Sequence, residues 1–327
     1  MDEPRSPFGP DPDLAEEASW VDADPEMLEL GAEAAADLEA EVLQADGAAA
    51  LEQRRQRRYL VRALLRSPTF MTGVVIVLFW VFMALFSTYI TQSPTAQDAA
   101  AALKPPSAAH LFGTDELGRD VLARTMAGAR TVLIIAPLAT MLALLWGSMI
   151  GLVAGFYRGY TDEVMMRLID VLLALPIIIT SILVLSLLGT GLTIIIITIG
   201  ALFTPVVSRT VRSAVIGERE REYVMAARLR GERSPFVMAR EILPNITQPL
   251  IVEATIRLGY AVFTAATLSF LGFGLGPPSP DWGLTISTER IYLQIAPWTV
   301  LFAAFALATL VVGVNLITDG LGRVFSK

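Results

Sequence analysis

Of the 327 residues, 54% are hydrophobic and only 17% are charged, too apolar a balance for a soluble globular protein. Residues 1–50 hold fifteen of the thirty-two acidic residues and one basic residue, Arg5, so the formal net charge of −7 belongs to that segment; the rest, with 24 basic and 17 acidic residues, is cationic. Without cysteine there is no disulfide framework or thiolate chemistry, and neither lysine (Lys104 before Pro105, Lys327 in last place) precedes a Ser or Thr, which excludes a P-loop ATPase.

From the N-terminus, residues 1–50 are rich in Ala, Asp, Glu and Pro and cannot bury enough apolar surface to offset chain ordering; they are expected to be a mostly disordered acidic tail. Within them, Met27, Leu30, Ala34, Leu38 and Val42 have the spacing of one amphipathic helix over 26–44. The acidic start has no apolar stretch, so no secretory leader is expected. Over 51–69, Arg54, Arg55, Arg57, Arg58, Arg62 and Arg66 alternate with Tyr59, Leu60, Val61, Leu64 and Leu65. That pattern predicts a basic amphipathic helix on an anionic membrane surface, or the positive flank of a span, cytoplasmic in either case.

Six apolar stretches follow at about 70–90, 131–154, 168–188, 192–211, 249–270 and 298–318. Each is near the ~20 residues that cross hydrocarbon, so 70–327 reads as one six-span, all-α membrane domain. Gly189-Thr190-Gly191 is expected to be a tight turn between the third and fourth spans. With the N-terminus inside, segments 54–66, 155–167, 209–248 and 319–327 hold eighteen basic residues, against five outside (Lys104, Arg119, Arg124, Arg130 and Arg290). Both termini and the long loop are therefore expected in the cytoplasm.

The expected spans carry few ionisable side chains. Asp170 stands near the start of the third, and Glu253 and Arg257 lie one turn apart in the fifth, where they are expected to pair. Such sparse charge argues against an ion-coupled secondary carrier, which concentrates ionisable groups at the midplane. The lone His110 reads as an ordinary polar residue of an outer loop. No HExxH, serine elbow or paired intramembrane Asp is present, so no catalytic, cofactor or metal site is expected. If the chain moves a solute uphill, a partner must supply the work.

In the outer loop ahead of the second span, Gly113, Gly118 and Gly128 allow bends and close approach, while Asp115, Glu116, Arg119 and Asp120 read as a structural charge network. After the fifth span Gly272, Gly274, Gly276, Pro277, Pro278 and Pro280 predict a stiff, turn-rich loop. Trp282 and Trp298 are expected at the membrane interface.

The cytoplasmic stretch REYVMAARLRGERSPFVMAREILP, 221–244, is the most informative in the chain. Its composition predicts a helix over 217–230, with Tyr223, Ala226, Ala227 and Arg230 on one face and the two alanines open to close approach by another backbone. Gly231 ends it; Ser234 as cap and Pro235 at the first position start a second helix running to Ile242, and Pro244 interrupts the path. Read from the residues alone, this is either a docking element or an amphipathic cover for the membrane surface.

The pattern of Met225-Ala226-Ala227, Gly231, Glu241 and Leu243-Pro244 resembles the EAA loop of bacterial ABC-importer permeases. HLFGTDELGRDVLARTMAGART (110–131, with Gly113, Thr114, Asp115, Gly118, Arg119 and Asp120), DEVMMRLIDVLLALP (162–176) and LSFLGFGLGPPSPDWG (268–283, with Gly272, Gly274, Pro277, Pro278 and Trp282) are similar to three further blocks of the "C"-type dipeptide/oligopeptide permease subunits. The resemblance covers about 60–325 and leaves out the acidic tail. It implies a six-helix permease fold with a coupling-helix loop, 217–244. Tyr223, Met225, Ala226, Ala227, Arg228, Gly231, Glu241, Leu243 and Pro244 are the implied docking positions for an ATPase. The implied partners are a second, homologous permease, two ATP-binding subunits holding ATP and magnesium, and an extracytoplasmic peptide-binding protein in the bacterial cytoplasmic membrane, with no nucleic acid. Met225 departs from the family's usual Glu, and Glu241 from the His common in the peptide branch. Nickel chelates or oligosaccharides are the alternative cargoes; a secondary carrier or a non-transporting scaffold are the alternative classes.

Overall fold

The computed structural model describes residues 62–325. The acidic segment 1–50 and residues 51–61 of the expected basic helix lie outside the described residues.

The described chain is helical, with no named strand. Helix α1, Pro68–Ile90, starts where Pro68 occupies the first turn and the Ser67 hydroxyl accepts from the Phe70 amide. Helix α2, Val121–Tyr157, is 37 residues long, extending well beyond the expected 131–154 at its start. The cause is Asp120, whose carboxylate accepts from the Ala123 amide at 2.8 Å, so the second half of the 110–131 block is helix rather than loop. Helix α5, Leu192–Glu218, likewise outruns the expected 192–211. Helices α7, Thr247–Phe270, and α9, Pro297–Phe325, begin within two residues of the expected spans.

The third span departs most. In place of one helix over 168–188, α3 (Gly159–Leu173) and α4 (Ile177–Leu188) meet at 85°. Pro176 is responsible, because it lacks an amide hydrogen and excludes the residue before it from helical geometry. Among the described residues five helices, α1, α2, α5, α7 and α9, are long and apolar enough to cross a membrane, and the α3–α4 pair makes a sixth crossing if counted together. At 12 residues α4 rises only about 18 Å, too little to cross ~30 Å of hydrocarbon alone.

The bundle is organised around α2 and α5. Ala139, Ala143, Gly147, Gly151 and Gly155 recur every four residues on α2, and an added Cβ at Gly147, Gly151 or Gly155 would stand within 3 Å of Val207, of Val211 and the Ser208 backbone, or of Val215, all on α5. The contacts climb in step on both helices, so they run parallel and the α3–α4 pair returns the chain between them. Around this pair α1 and α9 pack antiparallel: Gly73 lies against Gly313 and Ile317, and the Trp80 indole donates to Thr309 Oγ1 at 3.0 Å. Small residues let the backbones approach where lipid gives no hydrophobic drive to associate. The long interhelical loops therefore gather at two opposite ends, with 91–120 and 271–296 at one and 219–246 at the other.

Candidate functional site

The 219–246 loop has a different build from the one its composition predicts. Gly217 lies inside α5, and the expected single helix over 217–230 is broken at 219–221 before α6, Glu222–Leu229. The run Glu218-Arg219-Glu220-Arg221-Glu222 offers no apolar side chain to pack and so nothing to hold a helix across it. Arg219 reaches back instead, donating to the Phe156 carbonyl at the end of α2 at 2.5 Å.

Tyr223, Ala226, Ala227 and Arg230 share one side of α6 by spacing, but burial divides that side. Val224 and Ala227 are completely buried against the chain itself, with Tyr223 half-buried beside them. Ala226, Arg228 and Arg230 are exposed, together with Met225 (50% exposed) and Leu229 (89%). The two alanines therefore divide between an inner and an outer face, and the open surface of α6 is built on Met225, Ala226 and Leu229. The Arg228 guanidinium lies 4.5 Å from the centre of the Phe156 ring, tying α6 to the end of α2.

Gly231, with φ +77°, closes α6: its amide donates to Arg228 O at 3.0 Å and the Glu232 amide to Ala227 O at 3.2 Å, the reciprocal pair of a left-handed helix stop. The following segment starts one residue earlier than expected, since Arg233 caps it and Ser234 is already helical, without a side-chain cap bond. It continues as a wide turn, Val237–Ile242, in which the Leu243 amide reaches five residues back to Met238 O. Pro244, which has no amide to give, sits in the next helical turn, Leu243–Asn245, so it shifts the helical register rather than interrupting the path. Val237, Ile242 and Ile246 are buried, Glu241 and Leu243 half-buried, and Pro244 and Phe236 exposed. Beside α6 opens a cavity of about 620 Å³ lined by Glu218, Glu220, Arg221, Glu222, Tyr223 and Asn245. Burial, and next the Glu218 charge, push the Tyr223 hydroxyl above its ordinary pKa.

Ion pairs tie this end of the bundle together. Arg212 on α5 holds Asp162 on α3 through two bonds of 2.5 Å, Arg209 pairs with Asp170, and Arg158 reaches Glu220 at 3.2 Å. The i, i+3 spacing of Arg209 and Arg212 was the available signal, but without the α3–α4 bend nothing in the sequence says which acids they meet. Glu253 and Arg257 pair at 2.8 Å within α7, as their spacing predicts.

At the opposite end, Asp115, Arg119 and Arg124 are buried and joined: Arg119 Nε lies 2.6 Å and Arg124 Nε 3.5 Å from Asp115 Oδ2. Asp115 Oδ1 also accepts from the amides of Leu117 and Arg119, while Gly118, at φ +71°, turns the chain so closely over Asp98 that a Cβ would collide with it. His110 pairs with Asp120 at 2.9 Å, and Thr114 Oγ1 bonds Ala101 O. Gly113 packs against the Trp298 indole, whose nitrogen donates to Thr114 O at 3.2 Å. Trp282 is a correction: it is fully buried, donating to Thr125 O at 2.8 Å and standing edge-on to Trp80 at 5.0 Å, not at an interface. It opens helix α8, Trp282–Glu289, whose dense packing explains Gly128 on α2, where a Cβ would lie 2.6 Å from that indole. Gly272 (φ +89°) and Gly274, set against Ser269, carry the turn between α7 and α8, with Pro277 and Pro278 exposed at its tip.

Asp281 caps α8 by accepting from the Leu284 amide at 3.1 Å, and also accepts from Ser269 Oγ. Burial holds its carboxyl above the usual carboxylate range. An acid raised in this way binds its proton more tightly folded than unfolded; its stabilising contribution is complete below the ordinary pKa of about 4 and is lost as pH rises through the raised value. Lowering the pH from 8 to 5 is expected to raise the thermal midpoint of the wild type more than that of Asp281→Asn, which keeps the acceptor for Leu284. Thermal scans in detergent at the two pH values check this, and equal slopes would refute it.

These features define a multi-pass helical membrane protein with a packed loop at each end. Residues 147–327 match the family of binding-protein-dependent transport system inner membrane components, and 56–106 match the N-terminal TM domain of oligopeptide transport permease C. Among similar proteins, the dipeptide transport system permease protein of Alkalihalophilus pseudofirmus is 38% identical over 265 residues, covering 81% of this chain and 87% of the relative. A probable peptide ABC transporter permease of Sinorhizobium fredii is 40% identical over 270 residues (83% and 92%), and the di/tripeptide permease of Pseudomonas aeruginosa 38% over 256 (76% and 84%). The chain belongs to the binding-protein-dependent transport permeases, a family of transport proteins rather than enzymes.

Proposed function

We propose that this chain is one permease subunit of an ATP-driven importer for short peptides, set in the bacterial cytoplasmic membrane with its 219–246 end inside. The peptide cargo rests on the relatives, which are named for dipeptide, di/tripeptide or peptide transport and match across most of both chains. The sidedness rests on the basic residues of 209–248. A second permease completes the path, two ATP-binding subunits carrying ATP and magnesium supply the work, and a binding protein delivers cargo to the outer face.

The observation that carries the coupling role is the outer face of α6. Met225 and Leu229 are large apolar side chains left open at a polar end of the bundle, while the helix behind them is fastened by Val224, Ala227 and the Arg228–Phe156 stack. A rigid element with an open apolar face transmits a push; a loose loop absorbs it. Closure of the ATPase pair would bias the bundle between outward- and inward-open states only through different affinity for the two. In inverted vesicles holding the assembled transporter, binding protein is supplied to the lumen and peptide release toward the ATP side is followed. Movement is expected to require ATP and to survive collapse of the proton gradient by an ionophore. Gradient-driven movement without ATP would sink the proposal.

A further inference from the structure

The geometry points to a phospholipid site between α1 and α2, headed by Arg130. This arginine is exposed on the third turn of α2 and makes no ion pair or hydrogen bond among the described residues. Acids of that end have other partners: Asp115 has Arg119 and Arg124, Glu116 has Arg119, Asp120 has His110 and the α2 cap, Asp281 the α8 cap, Asp98 the Ala100 amide, and Glu289 lies 4.0 Å from Arg119. An arginine at the margin of a membrane span needs an anion or water, and none of the acids just named serves it.

Beside it lies a crevice of about 410 Å³ whose walls are ordered along the bundle. Arg130, Ser87 and Thr88 line its polar end, next to the 91–120 loop in the chain; Leu133 and Ile134 on α2, with Leu85 and Val81 on α1, line the apolar remainder. From Thr88 to Val81 the crevice descends about 10 Å along α1, at 1.5 Å per residue. A cation and hydroxyls above an apolar slot match a lipid phosphate above its acyl chain. The width favours this occupant over a helix of the second permease: α1 and α2 pack directly on each other, and a helix about 10 Å across does not enter the seam between them.

The test uses the assembled transporter, purified in mild detergent and stripped of lipid, titrated with phosphatidylglycerol and read by native mass spectrometry. Wild type and Arg130→Lys are expected to hold one phosphatidylglycerol per copy of this chain, and Arg130→Gln to bind it about tenfold more weakly. Independently, a benzophenone amino acid placed at Leu85 with Arg130 intact should yield, on illumination in membranes, an adduct of phospholipid mass. Unchanged binding in Arg130→Gln, or a polypeptide cross-linked at Leu85, which would make the seam a subunit interface, overturns the assignment.

Discussion

Gly151→Leu is expected to destabilise the permease strongly, moving its unfolding midpoint well below that of wild type. The ideal Cβ position at Gly151 lies 2.7 Å from both the Ser208 carbonyl oxygen and Val211 Cβ, and 2.9 Å from the Arg212 amide. Two of those atoms are backbone, so a side chain cannot be accommodated by a rotamer change; α5 itself must move. That displacement would be felt along the stripe from Ala139 to Gly155 and would pull Arg212 from Asp162. The cost belongs at or above the upper end of the ~1–3 kcal/mol typical of overpacking, because the clash is with a neighbouring main chain. Gly217→Leu is the control: it too lies inside α5, but an added Cβ meets nothing within 4 Å. It is expected to change stability by less than about 1 kcal/mol, leucine being the better helix former. Unfolding of the two purified variants in a graded SDS series measures the difference. Coincident midpoints would show that the α2–α5 contact does not hold the bundle.

That stripe also shows where sequence reasoning stops. The apolar runs located the membrane-crossing helices because hydrocarbon thickness imposes a length. They did not reveal that Gly147, Gly151 and Gly155 face α5, since spacing identifies a face but not its partner. The bend at Pro176 was legible in principle; an apolar window counts hydropathy and passes over a proline. Trp282 was misplaced for a related reason, since a tryptophan near a span end is as apolar in a core as at an interface. Only its bond to Thr125 and its edge contact with Trp80 tell the two apart. In the 219–246 loop, the stop at Gly231 followed from glycine's tolerance of positive φ, and the structure places it so. The division of Ala226 from Ala227 did not follow, because adjacent residues on a helix part company only when a third body, here the buried Val224 side, decides which way the helix faces.

That division separates folding from docking by a single position. Ala227→Asp places a charge where the side chain is completely buried, and is expected to destabilise the permease by several kcal/mol and lower its amount in the membrane. Ala226→Asp and Leu229→Asp put the same charge on the open face, where Leu229 is 89% exposed, and should leave stability within about 0.5 kcal/mol of wild type. If α6 seats in an ATPase, those two variants should reach the membrane normally, lose ATPase subunits on purification, and import peptide at no more than about a tenth of the wild-type rate, equivalent to ~1.4 kcal/mol of lost coupling. Met225→Glu, which introduces the residue that the EAA-loop resemblance implies at a half-exposed position, should also fold normally, so any change in its ATPase retention reports on the docking surface alone. The decisive readout pairs copurification with uptake: full ATPase retention and full import in both Ala226→Asp and Leu229→Asp would remove α6 from the coupling route, whereas loss of both with intact insertion places the energy input on the face formed by Met225, Ala226 and Leu229.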